Sequence, residues 1–254
     1  MNMIKVVLFG TGNLATHLYK AFSTALQIEL TAIWGRKTPS KKTFGNAPIR
    51  TSSLLKIPKA DVYVICISDD AVAKFSAQLP NQAFVVHTSG ALDLNVLEQK
   101  RSGIFWPIQT FSKKRAVAFN EVPVCIEAKN VKDLALLKQL ATAIKANYVV
   151  VNSKQRAYLH LAAVYVNNFV NELYNKAHGI LQTQQLSFEL LTPLILETTN
   201  KAITSKPKDI QTGPAKRGDK TVMNKHKSLL DSEQKKLYVT LSEAIYKTHN
   251  NNEL

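Results

Sequence analysis

The sequence predicts an α/β fold, in which a doubly wound Rossmann-type sheet is followed by an all-helical C-terminal domain. An apolar run at residues 3–9 leads into a glycine turn at residues 10–15. Strand-like apolar runs then alternate with helix-like segments as far as residue 151, which is typical of a parallel sheet with helices on both faces. From 154 to 182 there is no proline, and apolar residues recur at helical spacing. We therefore expect a dinucleotide-binding domain over 1–152 and a helical domain over 153–254.

The glycine turn has the pattern G-x-G-x-x-A between a strand and a helix, which is the dinucleotide fingerprint. Gly10 permits a sharp turn, Gly12 has no Cβ to block a pyrophosphate, and Ala15 lets the helix pack closely on the strand. The N–H groups at the start of that helix favour phosphate. A glycine turn without a ligand is the alternative. The predicted cofactor residues here are Gly10, Thr11, Gly12, Asn13, Leu14 and Ala15.

The second strand, predicted over 28–34, is followed by Gly35, Arg36 and Lys37, and no acidic residue stands there. An NAD enzyme usually carries an Asp or Glu at this point to hold the ribose hydroxyls. A guanidinium suits a 2′-phosphate, because it forms bidentate charge-assisted hydrogen bonds. Arg36 and Lys37 therefore predict NADP as the cofactor, and a solvated basic turn is the alternative.

Further strands are predicted over 47–50, 61–67, 84–87, 103–111, 122–127 and 148–151, with helices over 71–79 and 131–144. In a doubly wound sheet the ligand crevice lies at the carboxyl ends of the strands. Ser68 or Asp69 is predicted to cap the first of these helices. The residues at strand ends predicted to contact the cofactor are Ile67, Ser68, Thr88, Ser89 and Gly90. Capping of the next helix is an equal alternative for the last three. Gln109 and Thr110 are predicted to contact the substrate.

The helical part begins with one long helix over 154–182. A second helix is predicted over 187–204, with Pro193 in its first turns or kinking it. Two more helices follow: Asp219 is predicted to cap the first of them, and they are predicted to divide near Ser232. Between the second helix and Asp219, residues 205–218 are predicted to form a loop, and a loop of that length in a compact domain is usually functional or disordered.

Composition sets further bounds on the protein. The net charge is +15, and 45% of residues are hydrophobic. Such a basic field attracts anionic ligands, but no nucleic-acid-binding motif accompanies it, so we expect no nucleic-acid partner. No apolar run is long enough to span a membrane. Cys66 and Cys125 lie in strand-like runs and are expected to be buried thiols. No cluster of residues has metal-ligand spacing. We therefore expect a cytoplasmic protein without a membrane anchor or a metal. Residues 113–115 are expected to form a solvated loop.

With these features in place, the chain resembles the superfamily of 6-phosphogluconate dehydrogenase, ketopantoate reductase and pyrroline-5-carboxylate reductase. More closely, it resembles a bacterial family in which a Rossmann-like NADP-oxidoreductase domain precedes a helical domain of unknown function. The matching stretches cover residues 106–112, 160–163, 167–169 and 211–219. The resemblance implies that NADP binds between sheet and helices, and that a homodimer forms through the helical domain.

One departure from these relatives concerns catalysis. Hydroxyacid and ketopantoate relatives place a catalytic lysine one turn before an asparagine on the first interdomain helix. Here the residues four before Asn168 and Asn167 are Val164 and Ala163. The usual proton donor is therefore missing, and the chemistry of those relatives does not carry over by position.

Several polar residues of the helical part are candidates for the reaction instead. His226 is predicted to be the general acid, because an imidazole titrates near neutrality. Asn168 is predicted to orient the reacting atom, and Arg217 is predicted to bind an anionic substrate or a cofactor phosphate. The alternative for Arg217 is that it pins the loop together with Asp219. His160, Gln211 and Thr212 are predicted substrate contacts, and His160 is alternatively a structural imidazole.

The sequence as a whole predicts an NADP-dependent oxidoreductase. It would transfer hydride between NADP(H) and a small C=O or C=N substrate. The alternative is a regulatory module that binds NADP without turnover, and the missing lysine keeps that alternative open.

Overall fold

The structure is organised around one eight-stranded sheet. The computed structural model describes residues 3–45 and 47–250. The strands, in chain order, are β1 (Ile4–Phe9), β2 (Ile28–Trp34), β3 (Ile49–Thr51), β4 (Val62–Ile65), β5 (Phe84–His87), β6 (Arg101–Pro107), β7 (Val124–Ala128) and β8 (Tyr148–Val150). Their order in the sheet is β3-β2-β1-β4-β5-β6-β7-β8. Neighbouring strands are parallel except β6 and β7, which are antiparallel.

Helices connect the strands and then follow them. They are α1 (Asn13–Thr24), α2 (Lys41–Phe44), α3 (Asp69–Ser76), α4 (Val131–Ala143), α5 (Ser153–Ala163), α6 (Val170–Gln182), α7 (Thr192–Thr204), α8 (Pro207–Ile210), α9 (Pro214–Arg217), α10 (Lys220–Ser228) and α11 (Ser232–Asn250). The chain divides into two compact units between Asn168 and Phe169. We call them the sheet unit and the helical unit. The predicted domain boundary at 152 rests on the change in sequence character and stays a prediction.

Helices cover both faces of the sheet, as the alternating pattern predicts. Along β1, Val6 and Leu8 point into an apolar layer shared with α1 and α4. Val7 and Phe9 point to the other face, into a layer shared with α3. Side chains of a strand alternate between faces, so a continuous apolar run is what a strand buried on both sides requires. The predicted doubly wound fold is confirmed.

The predicted strand over 103–111 is wrong at its end, because β6 stops at Pro107. The N–H of Gln109 turns back to donate to the carbonyl of Pro107 at 3.1 Å, so the backbone leaves the strand direction there. Residues 112–115 beyond the turn are exposed, and the predicted solvated loop at 113–115 is confirmed. Cys66 and Cys125 are both buried and free, as predicted.

The long helix predicted over 154–182 is present as α5, a π-helical segment Val164–Phe169 and α6. A π segment inserts a wider turn into an α-helix and is frequent at functional sites. The second predicted helix begins as a 3-10 turn, Phe188–Leu191, and continues as α7 with Pro193 in its first turn. The predicted division of the last two helices near Ser232 is confirmed by α10 and α11.

The predicted loop over 205–218 is wrong in part, because α8 and α9 form within it. Prolines at the first positions of both turns preset the backbone angle that a helix needs. Gly218 directly follows α9, and its φ of +68° closes the turn. The Asp219 N–H donates to the Pro214 carbonyl at 2.9 Å. Asp219 then caps α10 by accepting from the Val222 N–H at 3.0 Å, which confirms its predicted role.

Candidate functional site

The glycine turn between β1 and α1 contains one glycine that the backbone itself requires. Gly10 has φ of +126°, and a Cβ built on it would lie 1.9 Å from the Cys66 carbonyl oxygen. The Cys66 N–H donates to the Phe9 carbonyl at 2.7 Å, so β1 and β4 are in contact up to this point. Any side chain at residue 10 would separate the two strands. Gly10 is therefore explained by the fold alone.

Gly12 is different, because nothing in the fold requires a glycine there. Its φ is −72°, a value that any residue adopts, and a Cβ built on it would have no described atom within 4 Å. Gly12 occupies the N-cap of α1, where the first backbone N–H groups of the helix are open to a ligand. The space beside Gly12 is therefore available to a group that is not part of the chain.

That space belongs to a cavity of about 640 Å3 at the carboxyl ends of β1, β2 and β4. This volume lies within the range of small-molecule sites. The predicted cofactor residues that line it are Gly10, Thr11, Gly12, Asn13, Leu14, Arg36, Ile67, Ser68 and Thr88. The lining does not include Ala15, Lys37, Ser89 or Gly90. Ala15 is fully buried under the turn, which suits its predicted packing role.

The sequence prediction missed a wall of this cavity that α3 provides. Ala71, Lys74, Phe75 and Gln78 line it, together with Trp34 at the end of β2. Trp34 and Phe75 pack with ring centroids 4.7 Å apart. The spacing i, i+3, i+4 places Ala71, Lys74 and Phe75 on one face of α3, and Gln78 follows in the turn after the helix. That periodicity was the signal that could have found them.

The charged residues that line the cavity, among those the structure describes, are Arg36, Asp69 and Lys74. Asp69 accepts a hydrogen bond from the Ser89 hydroxyl at 2.7 Å. The predicted capping of α3 by a side chain is wrong, since Ser68 occupies the N-cap without a side-chain hydrogen bond and Asp69 is turned to Ser89. Within residues 3–45 and 47–250, Arg36 and Lys74 form no ion pair.

Ser89 and Gly90 hold the turn after β5 rather than lining the cavity. The Ser89 hydroxyl accepts from the N–H groups of Ala91 and Leu92, both at 3.1 Å. A Cβ on Gly90 would lie 2.7 Å from the Trp106 ring and 3.0 Å from His160 Nδ1. Trp106 and His160 meet edge to face, with centroids 5.6 Å apart. His160 therefore has a packing role beside the end of β5, and its predicted contact with substrate stays a prediction.

A buried ion pair anchors α5, which carries His160, to the sheet. Arg156 is 1% exposed and pairs with Glu127 of β7, and its guanidinium also donates to the Leu92 carbonyl. Ser153 donates its hydroxyl and its N–H to the same carboxylate, at 2.9 and 3.0 Å. Removing one member of a buried pair leaves an uncompensated charge, so such a pair tightly couples the elements it joins.

His87, at the end of β5, is a neutral buried imidazole. Its Nδ1 accepts from the Ser89 N–H at 3.2 Å, so the ring proton is on Nε2, toward the Asp93 carbonyl at 3.4 Å. Burial, helped by the nearby Arg156 charge, lowers the pKa of His87 from 6.5 to about 4. Burial likewise raises the pKa of the Cys66 thiol to about 12, so this thiol is no nucleophile near neutral pH.

The remaining candidate residues are described within their own units. Gln109 and Thr110 are part of an exposed turn, in which the Thr110 N–H bonds to the Gln109 side chain at 2.8 Å. Asn168 is exposed in the π segment. In the helical unit, the Gln211 side chain donates to the Thr212 carbonyl at 2.9 Å, and Arg217 is the last residue of α9. The His226 ring is exposed, and its Nδ1 is hydrogen-bonded to the Tyr238 hydroxyl at 2.9 Å. The roles predicted for these residues stay predictions.

A second cavity of about 690 Å3 lies against the later halves of α1 and α4. It does not reach the glycine turn or the carboxyl ends of β1 and β4. Within the part of the chain that is described, no group of three or more His, Cys, Asp or Glu is placed to hold a metal ion. None of the described helices has both the length and the apolar character needed to cross a bilayer.

The sheet order, the glycine turn and the helical unit define a Rossmann-type protein with a C-terminal helical extension. The model of a domain of unknown function, DUF2520, matches residues 122–245. The chain is 34% identical to the "putative NADP oxidoreductase BF3122" from Bacteroides fragilis, over 96% of this chain and 98% of that one, with a TM-score of 0.85. The chain belongs to this family of Rossmann-fold proteins with a DUF2520 domain, and the predicted family is confirmed.

More distant structures share the fold alone. Protein TM1727 from Thermotoga maritima is 22% identical, with 98% and 100% of the two chains covered and a TM-score of 0.71. A reductive aminase from Aspergillus terreus, solved with NADPH and ethyl levulinate, is 13% identical, with 99% and 95% covered and a TM-score of 0.73. No curated protein matches the sequence significantly.

The low pKa of His87 predicts how stability changes with pH. The unfolded chain binds a proton near pH 6.5 and the folded one only near 4, so the free energy of unfolding falls as pH drops through that window. The contribution is about 3 kcal/mol, from about 1.4 kcal/mol per pKa unit. Urea unfolding at pH 7 and pH 4.5 measures it. The His87→Leu variant should have a lower free energy of unfolding at pH 7, but that free energy should fall less than in wild type between pH 7 and pH 4.5. An equal fall in both proteins would contradict this assignment.

Proposed function

We propose that the protein is an NADP-dependent oxidoreductase that transfers hydride between NADP(H) and a small C=O or C=N substrate. The observation that carries the proposal is Gly12, a glycine that the fold does not explain, next to an open cavity at a helix N-terminus. A pyrophosphate in that space would explain why no side chain occupies it. The name of the 34% identical relative supports the same cofactor.

The residues present fit NADP better than NAD. Arg36 lines the cavity, and no carboxylate follows β2 to hold a ribose hydroxyl pair. The open N–H groups of α1 would hold the pyrophosphate, and Arg36 the 2′-phosphate. When bound, the cofactor supplies or accepts the hydride. Thr11, Asn13, Leu14, Ile67, Ser68 and Thr88 would complete the contact surface, and the Asn13 amide is already fixed by donating to the Phe111 carbonyl at 2.9 Å.

Such a reaction also needs a proton donor, and we assign that role to His226. Its Nδ1 is held by the Tyr238 hydroxyl, which leaves Nε2 on the exposed ring to exchange a proton. Asn168 would orient the reacting oxygen or nitrogen, and Arg217 would hold an anionic group of the substrate. Gln109, Thr110, His160, Gln211 and Thr212 are the remaining proposed substrate contacts.

The second candidate function is a regulatory module that binds NADP without turnover. The observation in its favour is the absence of a lysine four residues before Asn167 or Asn168, where Ala163 and Val164 stand. NADPH oxidation measured against a panel of ketones, 2-oxo acids and imines separates the two. Substrate-dependent oxidation supports the enzyme, whereas binding without oxidation of any compound supports the module.

Gly12→Ala tests the cofactor site directly. The added methyl group meets no described protein atom, so the melting temperature should stay within about 2 °C of wild type. The affinity for NADPH should fall at least about tenfold, because the methyl group occupies the pyrophosphate space. Gly10→Ala is the matched comparison, and it should lose stability since its Cβ would collide with the Cys66 carbonyl. Unchanged NADPH binding by folded Gly12→Ala would contradict the proposal.

His226→Ala tests the proposed acid once a turnover assay exists. The variant should lower kcat by roughly 10²–10⁴-fold, with NADPH affinity unchanged. His249→Ala, at a half-buried histidine near the end of α11, is the control and should keep full activity. If His226→Ala retains its activity, the proton comes from another group, and His160 and Tyr165 are the next to test.

We further propose a homodimer formed through the helical unit. Ala215 is the one buried residue among those described in that unit, while Leu190, Leu194 and Ile203 are 67%, 63% and 76% exposed. Apolar surface of this extent is typical of an interface. Sedimentation at micromolar concentration should show a dimer that Leu194→Glu dissociates. Leu26→Glu, at a 94% exposed position of the sheet unit, should leave it intact. A wild-type monomer would argue against this assembly.

A further inference from the structure

The cavity beside the glycine turn has cations on two of its walls. Arg36 follows β2, and Lys74 lies on α3, whose Phe75 packs on Trp34 at the end of β2. Both side chains are exposed, and within the described ranges neither has a carboxylate partner. The third charged residue of the lining, Asp69, is hydrogen-bonded to Ser89. The cavity therefore presents two unneutralised positive charges to whatever fills it.

The neighbours of Lys74 connect its helix to the end of β2. Ala71 and Phe75 share its helix face, and Gln78 follows in the turn after α3. Phe75 packs on Trp34, which directly precedes Gly35 and Arg36. The Gln78 amide donates back to the Lys74 carbonyl at 3.1 Å. This packing joins the helix wall to the end of β2. Lys74 therefore lies on a helix that is packed against the strand end from which Arg36 follows.

We infer that Lys74 is the second cation of a clamp for the 2′-phosphate and so determines preference for the phosphorylated cofactor. This rests on the proposed function. A phosphate monoester carries close to two negative charges at pH 7, and one guanidinium balances only one of them. Lys37 follows Arg36 in the sequence, but it does not line the cavity. The clamp therefore consists of residues 36 and 74, which are distant in sequence.

The test measures dissociation constants for NADPH and NADH by fluorescence titration in wild type and variants. Lys74→Ala should weaken NADPH about tenfold or more and leave NADH within about twofold, because only NADPH carries the 2′-phosphate. Lys74→Arg should restore most of the affinity for NADPH. Arg36→Ala should show the same selective loss, and Lys37→Ala a smaller one. Lys132→Ala, at an exposed position of α4 outside both cavities, is the matched control.

The outcomes separate this inference from the function on which it rests. If wild type binds neither dinucleotide, the proposed function itself fails. If NADPH binds and Lys74→Ala leaves its affinity unchanged, or weakens NADH equally, Lys74 is no 2′-phosphate ligand and the cofactor site survives without it. Titration with 2′-AMP and 5′-AMP gives a second readout, since Lys74→Ala should weaken 2′-AMP alone. Lys74 is an exposed helix position where alanine is a good helix former, so the variant should fold.

Discussion

The close passage of β1 and β4 at Gly10 is the constraint on which the rest of the sheet unit depends. The order of the strands reverses at β1, whose neighbours are β2 and β4, and this is where an open α/β sheet leaves a crevice. The crevice forms only if both strands end together. The contact of Gly10 with the Cys66 carbonyl allows no side chain, and the positive φ of Gly10 turns the chain toward α1. The start of α1 and the position of Gly12 both follow from that turn.

A second set of interactions fixes the neighbouring strand ends. Arg156 joins α5 to β7 through Glu127 and to the chain after β5 through the Leu92 carbonyl. Ser89 joins the same turn to the N-terminus of α3 through Asp69. His87 lies between these two connections and is satisfied only as a neutral ring. These neighbouring strand ends are therefore held by polar contacts whose strength depends on charge, whereas the glycine turn is held by backbone geometry alone.

Much of the fold could be predicted from the sequence, because its signals are local. The bounds of β2, the cap at Asp219 and the break near Ser232 are all visible in a few consecutive residues. The misses are non-local. Glu127 and Arg156 each look like surface residues, and nothing in either segment shows that they pair. Lys74 and Gln78 look like the solvated face of a short helix, because the sequence does not show that β2 ends opposite them.

The argument from Gly12 depends on its position and not on open space alone. Gly179, inside α6, also has no described atom within 4 Å of a built Cβ, and nothing in the structure explains it. Glycine inside a helix destabilises it by about 1 kcal/mol relative to alanine, and no contact in the structure compensates for that loss at Gly179. At an N-cap glycine costs only a few tenths relative to the best caps. The small cost therefore does not single out Gly12, but its position does, because a capping serine or aspartate there would occupy the place where α1 can offer its N–H groups to an anion.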